Sequence, residues 1–116
     1  MNYQTIQQTL TAAGVTVYDP GLKTGICTAP YVVVQESGTY PLAQSWRLGY
    51  SLIEVHCYVP LNRYAALGEL LTAVKAALRP LYPDLRPTGG VAPCGINDKF
   101  KAHEAAVEYQ ILKTNQ

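Results

Sequence analysis

Residues 47–59, which begin at Arg47 and lead into Pro60, constrain this chain more than any other segment. Their alternation puts Ser51, Ile53, Val55, Cys57 and Val59 on one face and Tyr50, Leu52, Glu54, His56 and Tyr58 on the other, the period of two that belongs to a β-strand. The first face is the better core candidate. About thirteen residues at ~3.3 Å each span roughly 43 Å, whereas a compact chain of this size has a radius of gyration of about 13 Å. One end of the strand must therefore outreach its own core. An apolar and aromatic strand that projects beyond a small domain is hard to keep soluble alone, so the arm is expected to serve assembly.

The neighbouring segments supply partners for it. Pro30-Tyr-Val-Val-Val-Gln-Glu36 is a nearly continuous apolar strand suited to a central place in a sheet. Residues 37–45, with Gly38 and Pro41, read as a loop longer than a tight hairpin needs, so the two strands form a hairpin with a recognition-sized connection. After Pro60, Asn62 is placed to cap a helix whose apolar positions are Tyr64, Leu67, Leu71, Val74 and Leu78, ended by Pro80. Upstream, Tyr3, Ile6, Leu10 and Ala13 recur at helical spacing, with Gly14 where a left-handed cap belongs. Residues 15–18 are strand-like, Asp19-Pro20-Gly21 is a turn, and residues 22–29 are irregular. Pro80, Pro83, Pro87, Gly89 and Gly90 mark a stiff connection, with a short strand expected within residues 90–96. The last strand covers residues 102–112, with Ala105, Val107, Tyr109 and Ile111 on the face opposite Glu104, Ala106, Glu108 and Gln110. The expected class is α+β: a mixed, mainly antiparallel sheet with a long β-hairpin arm, packed by an N-terminal helix and a central helix. With 116 residues and 48% hydrophobic content, one core and hence one domain over residues 1–116 is expected.

The chemistry-bearing residues do not converge. Net charge is +1 with scattered basic residues, not the basic stripe of a phosphate-binding protein. The N-terminus lacks a basic and an apolar region, and no run approaches the ~18 apolar residues of a membrane span, so a cytoplasmic origin without a membrane is expected. Cys27, Cys57 and Cys94 lack the CxxC spacing of zinc or redox sites and read as reduced thiols. His56 and Cys57 are adjacent, but neighbours on a strand point to opposite faces and make no nucleophilic dyad. Cys94 with His103 lacks a third orienting group, and the two histidines lack metal-ligand spacing. Thr88-Gly89-Gly90 reads as a turn rather than a phosphate cradle, and Asn97-Asp98-Lys99 as a loop tip rather than a calcium loop. No catalytic residue, metal ligand or cofactor is assigned, and the chain is not expected to be an enzyme. Nine tyrosines against one Phe and one Trp favour half-wet contacts, at a core rim or between subunits.

The order of these elements, with the Pro-Tyr-Val-Val-Val strand, the Trp-Arg-Leu-Gly-Tyr-Ser-Leu-Ile-Glu-Val-His-Cys-Tyr-Val-Pro strand and the Asn97-Asp98 loop before the last strand, resembles the phage tail terminator family. It is most similar to the lambda-type tail terminator, or tail completion, proteins of long non-contractile tails, over residues 3–112. The resemblance implies a structural virion protein, made in the host cytoplasm, that forms a homohexameric ring on the head-proximal end of the tail tube. Such a ring stops tube growth, meets the head-tail connector protein, and lets genome DNA pass without specific binding. Under this reading Tyr40, Trp46, Arg47, Leu48 and Tyr50 at the projecting end are the expected subunit interface, as aromatic and Arg residues commonly anchor such contacts. Glu54, Glu104 and Glu108 share a face if the long and last strands are neighbours, and would line the bore. Loops 19–29 and 38–45 are the expected contacts to tube or connector. Another head closure or adaptor protein, or a small α/β enzyme or ligand-binding domain with a pocket near Cys94, His103 and Tyr109, are the alternative readings.

Overall fold

A computed structural model of the chain describes residues 3–19, 26–41, 48–82, 84–97 and 101–114. The elements follow the order α1 (Tyr3–Ala12), β1 (Val17–Tyr18), β2 (Tyr31–Pro41), β3 (Leu48–Pro60), α2 (Tyr64–Leu78), β4 (Leu85–Asn97) and β5 (Ala102–Thr114). The five strands make one sheet in the order β1-β2-β3-β5-β4. The short β1 runs parallel to β2 and every other pair is antiparallel. The fold is α+β with a mainly antiparallel mixed sheet.

The long strand is β3, and it is paired on both sides. On one side β2 matches it from Tyr31 opposite Tyr58 to Pro41 opposite Gly49. On the other, β5 matches it residue for residue, from Leu48 opposite Thr114 to Pro60 opposite Ala102. The arm is thus three strands wide, and the molecule measures 48 × 26 × 24 Å with a radius of gyration of 14.7 Å, longer than the ~13 Å of a compact chain of this length.

Both helices lie on one face, because only one face of each strand is continuously apolar. Val32 and Val34 of β2, Ile53, Val55, Cys57 and Val59 of β3, and Ala105, Val107, Tyr109 and Ile111 of β5 form the sheet side of the core. Ile6 and Leu10 of α1 and Leu67, Val74 and Leu78 of α2 close it from above. Full burial of each large aliphatic side chain is worth roughly 1.5–3 kcal/mol, which sets how strongly this face selects the strand register. Gly14 ends the first helix at φ +89, the left-handed conformation that favours glycine.

Four sequence expectations need correction. Residues 37–41 are strand: a bulge between Glu36 and Gly38 absorbs one residue and restores the alternation, so that Tyr40 stands opposite Tyr50. The fourth strand is β4 over Leu85–Asn97 rather than a short piece of residues 90–96, and Thr88-Gly89-Gly90 is a bulge within it, not a turn. It can hold Pro87, Pro93 and these glycines because it is the sheet edge, and its pairing shifts between Pro87 and Val91 and again between Ala92 and Gly95. Asn62 lies in a single 3-10 turn (Leu61–Arg63); Arg63 is the N-cap of α2 and makes no side-chain cap bond. Tyr64 is exposed and meets the His103 ring edge-on at 4.8 Å instead of joining the core.

Leu78→Ala, at a residue 1% exposed, is expected to lower unfolding free energy by about 2–5 kcal/mol. Leu61→Ala, at a residue 42% exposed, should stay within about 0.5 kcal/mol. Urea titrations of the two variants check this, with the slope unchanged in both.

Candidate functional site

The face of the sheet away from the helices carries the polar chemistry. The register lays its residues in rows across the strands: Tyr31, Tyr58, Glu104 and Gly95; then Val33, His56, Ala106 and Ala92; then Gln35, Glu54 and Glu108. The first row is aromatic. Tyr18 of β1 meets Tyr31 edge-on with ring centroids 5.3 Å apart, and Tyr31 stacks on Tyr58 at 4.9 Å. Cys27, whose thiol donates to the Ala29 carbonyl oxygen at 3.3 Å, and Ala102 complete a second small core around these rings. Tyr31 is 2% exposed although no helix covers it. Burial, then the neighbouring Cys27, Glu104 and Tyr18, push its hydroxyl up to about 12. Burial, then the Glu104 carboxylate, raise Tyr58 as well.

Glu104 is the hub of the polar part. Its Oε1 accepts from the Tyr58 hydroxyl at 3.2 Å, and its Oε2 accepts from Asn97 Nδ2 at 3.0 Å. The same Oε1 lies 3.5 Å from His56 Nδ1, while Glu54 Oε2 lies 3.0 Å from His56 Nε2. Both ring nitrogens are shielded from solvent. Their carboxylate contacts are within ion-pair distance but off the angles of a hydrogen bond. Glu54 and Glu108 are direct cross-strand partners, an arrangement of like charges that is unfavourable by itself. A 2.7 Å hydrogen bond from the Thr88 hydroxyl to Glu108 offsets it. The three carboxylates expected on one face are therefore on one face, and His56, Tyr58 and Asn97 contact two of them, Glu54 and Glu104.

The thiol readings are decided by geometry. His56 and Cys57 project from opposite faces of β3, His56 among the carboxylates and Cys57 in the helix-side core. Burial pushes the Cys57 thiol up to about 12, against a weaker opposing effect of Lys75, so it holds its proton at neutral pH and is a poor nucleophile. His103 and Tyr109 share a strand face but stand six residues, about 20 Å, apart. His103 contacts the Leu61 carbonyl oxygen at 3.1 Å at one end of the sheet. Tyr109 lines a cleft of about 630 Å³ on the helix side. A single pocket containing both is excluded. The side chain of Cys94 lies outside the described residues, and among those described no group of three His, Cys, Asp or Glu residues is placed to hold a metal ion.

That cleft was not legible in the sequence. It opens where the bulged start of β4 pulls away from β5 beneath the C-terminal end of α2, and Leu78, Leu85, Val107 and Tyr109 form its apolar interior. Lys75, Arg79 and the exposed Tyr82 stand at its margin. Of the expected interface residues, Tyr40, Leu48 and Tyr50 fall at the far end of the three-stranded arm by their register. Trp46 and Arg47 lie outside the described residues, as do residues 20–25 and 42–45 of the expected docking loops.

Fold and site together define an elongated α+β domain with one face under helices and an open face carrying tyrosines and carboxylates. No family model matches the chain, and none of the curated proteins is significantly similar to it. Among the described residues, no helix is long and apolar enough to cross a membrane.

The tyrosine row carries a pH signature. Unfolded tyrosine titrates near 10.0, whereas Tyr31 and Tyr58 do so higher in the fold. The unfolded chain thus loses these protons first, and their stabilising contribution, complete below pH 10, is lost as pH rises toward the folded values. Denaturant midpoints between pH 9 and 12 are expected to fall with pH, and Tyr58→Phe should flatten that slope as well as cost about 1 kcal/mol at pH 7 for its hydrogen bond.

Proposed function

We propose that this chain is a ring-forming structural protein of a phage tail, sitting on the head-proximal end of the tail tube, ending its polymerisation and joining it to the head connector. The observation that carries the reading is the arm. The last described buried row across the sheet is Ser51, Ile111 and Leu85. Beyond it β3 and β5 continue, paired, through residues 48–50 and 112–114, and β2 accompanies β3 to Pro41. A ribbon of paired strands that runs on past that row offers its length to a second copy, the contact this reading assigns to it. Tyr40, Leu48 and Tyr50 sit on that ribbon, and Trp46 and Arg47 belong to the segment that joins its strands.

The open face supports the same reading from electrostatics. Glu54, Glu104 and Glu108 project from it, and a surface of this sign repels phosphates. Turned toward the bore of a ring, it would let DNA slide without gripping it. The enzyme alternative, with a pocket near Cys94, His103 and Tyr109, draws less support, because His103 and Tyr109 stand apart.

Light scattering over a concentration series, with negative-stain imaging alone and with the tail tube protein, tests the proposal. Rings of six that cap tubes of uniform length are the expected result; a strict monomer that leaves tube length unchanged sinks it, and binding on the portal side alone transfers the protein to a head closure role. Replacing Glu54, Glu104 and Glu108 together by Gln should slow DNA delivery while leaving rings intact. Delivery at the unchanged rate would remove the bore-facing role of this face.

A further inference from the structure

We infer that the helix-side cleft is a binding site for a small amphiphile, a medium-length acyl chain that ends in a carboxylate. The inference stands apart from the ring reading and does not need it. The cleft, about 630 Å³, falls within the about 300–1,000 Å³ typical of sites that enclose a small ligand. The hollows beside His56 and beside Tyr31 are smaller, about 190 and 140 Å³. Leu78 of α2, Leu85 and Pro87 of β4 and Val107 of β5 give the cleft apolar walls on three sides. An acyl chain suits such walls because it brings no polar atom that would have to be satisfied there.

The rim decides the other end of the ligand. Lys75 and Arg79 both line the cleft, one helical turn apart, with the Arg79 backbone N–H donating to the Lys75 carbonyl oxygen. The Lys75 ammonium is near enough to the buried Cys57 thiol to oppose the rise that burial causes there, so its charge lies toward the sheet. Among the described residues, neither cation forms an ion pair. Glu108 also reaches the cleft, but its carboxylate accepts from the Thr88 hydroxyl at 2.7 Å. Against the two cations stands the partial negative charge at the C-terminal end of α2, about half a unit. One carboxylate neutralises what remains, whereas a phosphate dianion exceeds it. Its two oxygens also match two neighbouring donors, one of them the fork of an arginine.

Calorimetric titration of the full chain with decanoate, kept below the concentration at which it forms micelles, tests the inference. Butyrate, 1-decanol and an apolar tripeptide with a free C-terminal carboxylate are titrated alongside. One decanoate per chain is expected, bound about a hundredfold more tightly than butyrate, whose shorter chain buries less. Lys75→Gln combined with Arg79→Gln changes two exposed positions, where folding is little affected. The double variant should bind decanoate about tenfold more weakly and 1-decanol as before. Decanoate that binds no better than butyrate, that occupies many places on each chain, or whose affinity the double variant leaves unchanged overturns the inference. Tight binding of the tripeptide without binding of decanoate overturns it as well, and would make the cleft a receptor for the end of a protein chain.

Discussion

Pairing of β3 on both sides along its length is the constraint on which the rest of this structure depends. Its one face supplies Ile53, Val55, Cys57 and Val59 to the helix-side core, and the other supplies Glu54, His56 and Tyr58 to the open face. Because side chains alternate strictly, a slip of one residue against β5 would exchange these two sets, placing carboxylates under the helices and valines in water. The apolar burial on one face therefore fixes the position of the polar groups on the other. The Glu54–His56–Glu104 cluster and the tyrosine row are held in place by a core they do not touch.

The open face shows how a sheet without a covering layer is kept ordered. At one end it is sealed by stacked tyrosines and by residues 26–30. In the middle, where Glu54 and Glu108 face each other across strands, a threonine hydroxyl offsets the repulsion. Such a surface stays polar, well defined and unfavourable to phosphate. On the opposite side of the sheet the edge strand β4 is interrupted by two bulges and by prolines. These protect the edge from indiscriminate pairing and also open the cleft beside Tyr109. One local device thus gives both edge protection and a recessed apolar site.

Much of this is legible in the sequence. The two faces of residues 51–59, the inner stripe Leu67, Val74 and Leu78, the Gly14 cap and the sharing of one face by Glu54, Glu104 and Glu108 all follow from local periodicity. The errors have local causes too. Residues 37–41 carry Gly38 and Pro41, which read as loop, but a single-residue bulge keeps them in register. Pro87, Thr88, Gly89 and Gly90 read as a connection, yet an edge strand tolerates missing donors and extra residues that a central strand does not. Asn62 is a good cap by type, but the 3-10 turn ahead of α2 moves the helix start beyond it.

The sequence by itself determined the two helices and the central strands and which way most of their side chains face, because the periods of two and 3.6 are properties of a short stretch of backbone. Only the tertiary structure decided which strands are neighbours and in what register. That choice brought Tyr31 onto Tyr58, His56 between Glu54 and Glu104, and the bulged β4 to the edge beside Tyr109. These are contacts between segments far apart in the chain, set by the burial of a shared core and not by any local preference of the residues that meet there.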